Sequence, residues 1–182
     1  MKVSREQVTE NRKRILDAAA RLFRERGFDN VTVAEVMTAA GLTHGGFYGH
    51  FDSKEALIGA AMAHEPSAHR GRPTLQSAGR YADTYLSRQQ RDNVGVSCPF
   101  SALGTEAARA SPEVRRTLTE SLRAQIDTLT ASSQGATPQE RRRTAIATLS
   151  TMVGGMVLAR VVNDEHLSDE ILAAARASLR IA

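Results

Sequence analysis

Apolar side chains recur along most of this chain at the three-and-four spacing of a helix, and no segment alternates with the period of a strand. Ser4 and Gln7 resemble a capping box. After them Ile15, Leu16, Ala19, Leu22 and Phe23 share one face, and Gly27 is placed to stop the helix, which predicts a first helix over 5–26. Thr32 and Glu35 form a second capping box. Val33, Val36, Met37 and Ala40 then supply the inner face of a short second helix that Gly41 closes. Only Leu42 and Thr43 separate it from a third helix over 44–51, whose Phe47 and Phe51 lie four residues apart. Asp52 and Glu55 open a fourth, with Leu57, Ala60 and Ala61 facing inward.

Pro66 and the run His69-Arg70-Gly71-Arg72-Pro73 interrupt the periodicity, so a domain boundary is expected there, with domains over 1–65 and 66–182. Helices follow at about 75–89, 102–110 and 112–132. The loop Asn93–Pro99 divides the first two, and Ser111-Pro112 starts the third. Thr137-Pro138-Gln139-Glu140 starts a long helix running to about 162, and Ser168 is read as the cap of a last one to about 180. The expected fold is all-α, with about nine helices.

Composition agrees. Of 182 residues, 41% are apolar but only 4% aromatic, with no Trp, so the core must rest on Ala, Leu, Val and Met. The net charge of +4 matters through its placement. Residues 1–26 hold eight Lys/Arg against four Asp/Glu, a surplus equal to that of the whole chain. This fits an N-terminal segment that meets a polyanion, or simply a solvated basic helix. One cysteine, Cys98, excludes an internal disulfide. No signal-peptide pattern opens the chain, and the uncharged run Thr144–Ala159 is shorter than a bilayer span, so a cytoplasmic protein without a membrane partner is expected. The five histidines lack metal-ligand spacing, and no phosphate loop or nucleophile motif is present. No enzyme activity, metal or cofactor is expected.

The segment with unusual chemistry is the third helix. Two short helices joined by a tight Gly-containing turn form a helix-turn-helix pattern. Gly45 and Gly46 in the first turn of its second helix cost about 1 kcal/mol each relative to Ala. Close approach of a nucleic-acid backbone would account for them, as would a tight buried turn that needs glycine. Thr43, His44, Tyr48 and His50 carry hydroxyl and imidazole groups that can reach bases or phosphates.

Taken together, Ile15-Leu16-Asp17-Ala18-Ala19, Leu22-Phe23, Gly27-Phe28, Thr32-Val33, Ala39-Ala40-Gly41-Leu42, Gly45, Phe47-Tyr48-Gly49-His50-Phe51 and Lys54-Glu55-Ala56-Leu57 resemble the tetracycline-repressor (TetR) family. The resemblance covers about the first 60 residues. It implies that Thr32 meets a phosphate, that Thr43, His44, Gly45 and Gly46 form the base-reading turn, and that Tyr48, His50 and Lys54 meet phosphates. Gly49 stands where many members have Trp or another large residue, and His44 where Arg or Gln is frequent. Arg5, Arg12, Lys13 and Arg14 are further candidates for phosphate contact.

One helix-turn-helix reads few base pairs, so a two-fold dimer is expected. Ile146, Leu149, Val153, Met156 and Val157 form a stripe on the long helix, Gly154-Gly155 would let another helix come close, and Ile171, Leu172, Ala175 and Leu179 lie on the last helix. A core helix within a monomer would show the same stripe. The resemblance implies that these two helices build a four-helix bundle between subunits, and that the helices before them enclose an effector pocket. Tyr81, Tyr85, Phe100, Leu103, Leu122, Ile126 and Met152 are its candidate lining. The implied protein is a regulator, in most members a repressor, whose partners are an operator on double-stranded DNA, a second copy of itself and a small-molecule effector. Activation, or a redox or electrophile response through Cys98, stays open. No Lys, Arg or His lies within five residues of Cys98, which reads equally as a small buried residue.

Overall fold

The structure is a computed structural model, and it describes residues 4–64 and 78–181. The boundary at 65/66, the Pro66 and 69–73 breaks and the start of the helix expected at 75 lie outside the described residues. Among those described, the fold is all-α. The helices are α1 (Arg5–Arg26), α2 (Val33–Ala39), α3 (Lys54–Ala63), α4 (Ala78–Tyr85), α5 (Arg88–Asp92), α6 (Pro99–Ala107), α7 (Pro112–Ser132), α8 (Pro138–Val161) and α9 (Glu165–Ile181). Two 3-10 turns, His44–Gly49 and Val94–Val96, complete the order.

The chain falls into two compact units. One takes the described residues of 1–70 together with 103–119, the other those of 71–102 with 120–182. In the first, the Ser4 hydroxyl accepts from the Gln7 N–H at 3.2 Å to start α1. Gly27, at φ 82, ends it with its N–H on the Phe23 carbonyl. That left-handed conformation is cheap only for glycine. The next amide, Phe28, donates to the Glu106 carboxylate at 2.7 Å. Helix α1 packs on α2 and α3 around Ile15, Phe23, Val31, Met37, Phe47 and Leu57, each at most 1% exposed. His64, just past α3, is hydrogen-bonded through Nε2 to Asp17 Oδ1 of α1 at 2.8 Å.

In the second unit α8 and α9 pack along each other, α4 meets α9, and α5 meets α8. The core is Ala82, Tyr85, Leu86, Leu129, Ala145, Leu149, Met152, Met156, Ala159 and Leu172. Helix α8 has 24 residues and is long and apolar enough, by length and composition, to cross a membrane. Six of its residues, from Ala145 to Ala159, are buried in the protein's own core, as in the central helix of a globular unit.

Three local expectations change. The helix expected over 75–89 ends at Tyr85, because the Ser87 hydroxyl accepts from the Gln90 N–H and starts the separate α5. Part of the expected loop Asn93–Pro99 is a 3-10 turn, and α6 already begins at Pro99. Ser168 does not cap α9. Asp164 does so, three residues ahead of Leu167, whose N–H its carboxylate accepts at 3.1 Å. Ser168 is buried, donates to the Ala159 carbonyl at 2.7 Å and accepts from Arg91 at 2.9 Å.

Candidate nucleic-acid interface

The first unit presents two short helical segments at a tight turn. Thr32 caps α2, its hydroxyl accepting from the Glu35 N–H at 3.2 Å. The Glu35 carboxylate in turn accepts from the Thr32 N–H and hydroxyl, both at 2.8 Å. Arg26 adds an ion pair at 2.8 Å. These bonds to Thr32, foremost that of its backbone N–H, and then Arg26 hold the Glu35 carboxyl well below its usual range, at about 2. Helix α2 ends at Gly41, at φ 68, where the Arg14 Nη2 lies 2.6 Å from the position a Cβ would take.

The segment expected as a helix over 44–51 is a 3-10 turn, His44–Gly49. Three glycines in six residues remove the propensity for a regular α-turn, and the Gly46 N–H bonds instead to the Thr43 carbonyl at 3.0 Å. Phe47 is the inward anchor, 1% exposed, stacked on Phe51 at 5.9 Å, with the Arg12 guanidinium 4.3 Å over the Phe51 ring. On the outer side Thr43, His44, Gly45, Gly46, Tyr48 and Gly49 are all exposed, Tyr48 by 71%. His50 is half-buried, with a buried Nδ1 that has no hydrogen-bond partner. Lys54 is the first residue of α3 and half-exposed.

The glycines of this turn are not explained by the protein itself. None of the three has a positive φ. A Cβ added to Gly45 or Gly49 would meet nothing within 4 Å, and one on Gly46 only ordinary contacts with Met37 Cε at 3.7 Å and Thr43 Oγ1 at 3.9 Å. The buried-turn explanation for Gly45 and Gly46 therefore has no support in the geometry.

The basic surplus of 1–26 divides into two groups. Arg24 is core, 4% exposed, and donates to the Ala20 carbonyl at 2.7 Å. Arg21 pairs with Glu25 and Arg26 with Glu35. Arg5, Arg12 and Arg14 are exposed and Lys13 is half-exposed. Sequence reasoning did not separate the buried Arg24 from its neighbours, although its place one residue after Leu22-Phe23 put it beside the inner face.

In the second unit Tyr81, Tyr85, Leu122, Ile126 and Met152 come together in one cluster, with the Tyr81 and Tyr85 ring centroids 5.9 Å apart. Phe100 is half-buried outside that cluster, and Leu103 belongs to the first unit. Of the residues expected at a dimer surface, Leu149, Met156 and Leu172 are buried within the chain's own core. Ile146, at 43%, is exposed, while Val153, Val157 and Ile171 are half-exposed. Leu158 (57%), Val161 (75%) and Leu167 (41%) are further exposed apolar residues that sequence reasoning missed.

A basic first helix, a capped second helix and an exposed turn anchored by Phe47 define a helix-turn-helix domain. The family of bacterial regulatory proteins known as tetR matches this chain over residues 15–61. Over those residues the chain is similar to the TetR family of transcriptional regulators. It is 49% identical over 47 residues to the transcriptional repressor KstR2 of Rhodococcus jostii, a stretch that is 26% of this chain and 23% of that relative. It is 37% identical over 71 residues to the transcriptional regulator TtgR of Pseudomonas putida, 38% of this chain and 34% of the relative. The matched stretches thus span a quarter to a third of these relatives. The whole fold resembles the reduced form of NemR from E. coli, with a TM-score of 0.71 at 21% identity over 94% of this chain and 95% of that one. A TetR-family regulator of Cytophaga hutchinsonii gives 0.73 at 18% identity, over 99% and 97%.

Proposed function

We propose that this chain is a cytoplasmic, non-enzymatic transcriptional repressor that binds an operator on double-stranded DNA as a homodimer and is released by a small-molecule effector. Residues 1–65 bind DNA in this reading, and 66–182 hold the effector and the second subunit. The bare turn carries the DNA-binding half. Glycine at 45, 46 and 49 is required neither by backbone conformation nor by internal packing, whereas a phosphate backbone or groove floor pressed against the turn requires it. Around it Thr43, His44 and Tyr48 are exposed to reach bases and phosphates, with His50 and Lys54 at its far end. The Thr32 hydroxyl is engaged with Glu35, so any contact it makes with a phosphate is shared with the capping box.

The dimer reading is supported by the outer stripe of α8. Ile146, Val153, Gly154, Val157, Leu158 and Val161 recur at helical spacing and leave an apolar strip half or fully exposed. A Cβ added to Gly154 would meet nothing within 4 Å, which leaves room for a partner helix. The effector reading rests on the cluster of Tyr81, Tyr85, Leu122, Ile126 and Met152, in which three residues are only partly buried.

The test is fluorescence anisotropy of the full chain on the DNA upstream of its own gene, as a function of salt. Binding whose logarithm falls linearly with the logarithm of salt, and a stoichiometry of two chains per site, are expected. A folded protein that shows no binding at low salt would overturn the reading.

A further inference from the structure

Arg12 of α1 is exposed, yet its guanidinium carbon lies 4.3 Å from the centroid of the Phe51 ring. Phe51 is 5% exposed and follows the 44–49 turn closely, just ahead of the Ser53 cap of α3. Its ring stacks on Phe47 at 5.9 Å, and Phe47 meets Tyr48 edge-on at 5.2 Å. A ladder of rings therefore runs from Arg12 through the anchor of the turn to the exposed Tyr48.

Charge sets Arg12 apart from the later arginines of α1. Arg21 is paired with Glu25 at 3.0 Å, Arg26 with Glu35 at 2.8 Å, and Arg24 is core. Among the described residues Arg12 has neither a carboxylate within ion-pair distance nor a hydrogen bond. A ring face fixes a cation without cancelling its charge. It also leaves the guanidinium N–H donors, which a phosphate takes two at a time. Cover for a buried ring needs no charge, and a methionine would supply it. Arg14 stands at the other end of the same stretch, its Nη2 2.6 Å from the position a Cβ would take on Gly41. It too has no ion pair among the described residues. Helix α1 thus brings an unpaired cation to each end of the segment that contains the exposed turn.

We propose that Arg12 and Phe51 act as one device in DNA binding, the ring holding the guanidinium beside the turn and the guanidinium gripping a phosphate of the DNA backbone. This rests on the DNA-binding reading above, and it gives Phe51, otherwise a core residue, a positioning role. An arginine that is free in solvent must be ordered each time DNA binds, which costs side-chain entropy. One already held on a ring loses less. The planar guanidinium suits both tasks, since it stacks on an aromatic face and matches phosphate geometry.

The test is fluorescence anisotropy of the full chain on the DNA upstream of its own gene, over a series of salt concentrations. Arg12→Met keeps an apolar cover on the ring and removes the charge. It should flatten the slope of log affinity against log salt by about 0.9 for each chain bound. Arg21→Met makes the same change in net charge on the same helix and should leave the slope as it is. Replacing Phe51 with pentafluorophenylalanine keeps an apolar ring of nearly the same shape but reverses the charge on its face, so the core is kept and the attraction for a cation is lost. In the wild-type background it should weaken binding about 2–5-fold, the fold-change to which a surface cation–π contact corresponds. In the Arg12→Met background its effect should be less than about 1.5-fold, because the coupled partner is gone. Thermal midpoints check that each variant is folded. A slope that flattens equally in Arg12→Met and Arg21→Met, or in neither, would overturn the phosphate contact. An equal loss from the fluorinated ring in both backgrounds would overturn the positioning role. A folded wild-type chain that binds no DNA at low salt sinks the regulator reading and this proposal with it, whereas DNA bound with an unchanged slope in Arg12→Met sinks this proposal alone.

Discussion

Gly155 of α8 and Ala175 of α9 meet so closely that a Cβ on Gly155 would lie 2.9 Å from the Ala175 Cβ, and 3.4 Å from Leu86 Cδ2. The Ala175 Cβ is held by its own helix and cannot swing aside as the end of a long side chain would. The crossing of the two helices therefore depends on glycine here. Its neighbour Gly154 faces open space. Adjacent glycines thus do opposite things, one closing the chain's own core and the other leaving its surface bare.

This contrast predicts opposite mutational effects. Gly155→Val should destabilise the protein by about 1–3 kcal/mol through overpacking. Gly154→Ala should leave it unchanged or up to about 1 kcal/mol more stable, because it adds helix propensity without a clash. Urea unfolding of both variants checks this, with the protein concentration held constant because association would shift the midpoint. Equal destabilisation would show that both glycines are packed.

Much of this architecture was legible in periodicity and caps. Helix α1 from Arg5 to Arg26, the Thr32/Glu35 and Thr137/Glu140 capping boxes and the start of α8 at Pro138 are where local patterning puts them, because each depends on residues three or four apart. What was not legible depends on distant contacts. Ser168 has the composition of a cap, but tertiary packing buries it against Ala159 and Arg91 and leaves Asp164 to cap α9. Leu149 and Met156 have the same spacing as the exposed stripe, and only the packing of other helices, α9 and α5 among them, decides which side of α8 is covered. Cys98 has no basic neighbour in sequence, yet Arg160 reaches its surroundings from another helix. The glycines of the 44–49 turn were legible as an anomaly. Their cause was not, since setting aside a tight turn that needs glycine took the backbone angles.

That choice yields a prediction that separates fold from binding. Gly45→Ala and Gly49→Ala should keep or slightly raise the thermal midpoint, since neither added methyl meets anything in the chain. Both should weaken DNA binding, by about 10-fold or more for a methyl that holds the two surfaces apart, equivalent to about 1.4 kcal/mol. Calorimetry and anisotropy on the same preparations give the two numbers. A loss of stability that tracks the loss of binding would point back to an internal role for these glycines.

The cap of α2 predicts a pH dependence. The Glu35 carboxyl is depressed to about 2 in the folded chain against an ordinary 4.5. A group whose folded pKa is lowered contributes stability that is fully present above its unfolded pKa and is lost as pH falls towards the folded value. Wild type should therefore exceed Glu35→Gln in thermal midpoint at pH 6, and the difference should shrink between about pH 4.5 and 2. Because Glu35 also pairs with the exposed Arg26, high salt should trim the difference at pH 6 without removing the part due to the Thr32 amide and hydroxyl. A constant difference across that range would mean that the carboxylate charge does not stabilise the cap.

The exposed strip of α8 gives the last prediction. Leu158 and Val161 are 57% and 75% exposed, so replacing either with a charged residue disturbs little within the chain. Leu158→Glu with Val161→Glu should leave the helical circular dichroism signal of the monomer intact. If two copies bury this strip, four carboxylates would be brought together at the interface. Each would have to lose solvent without a partner, a cost of several kcal/mol per buried charge. Sedimentation velocity should then show a dimer for the wild-type chain and a monomer for the double variant. Operator binding should weaken with it, because a single helix-turn-helix holds only one half-site. The control is Leu149→Ala on the inner side of the same helix. Leu149 is 5% exposed and its loss leaves a cavity, so that variant should lose about 2–5 kcal/mol of stability. A double variant that still sediments as a dimer would move the interface off α8 altogether, and one that unfolds like Leu149→Ala would show that the outer side of α8 is already packed within one chain.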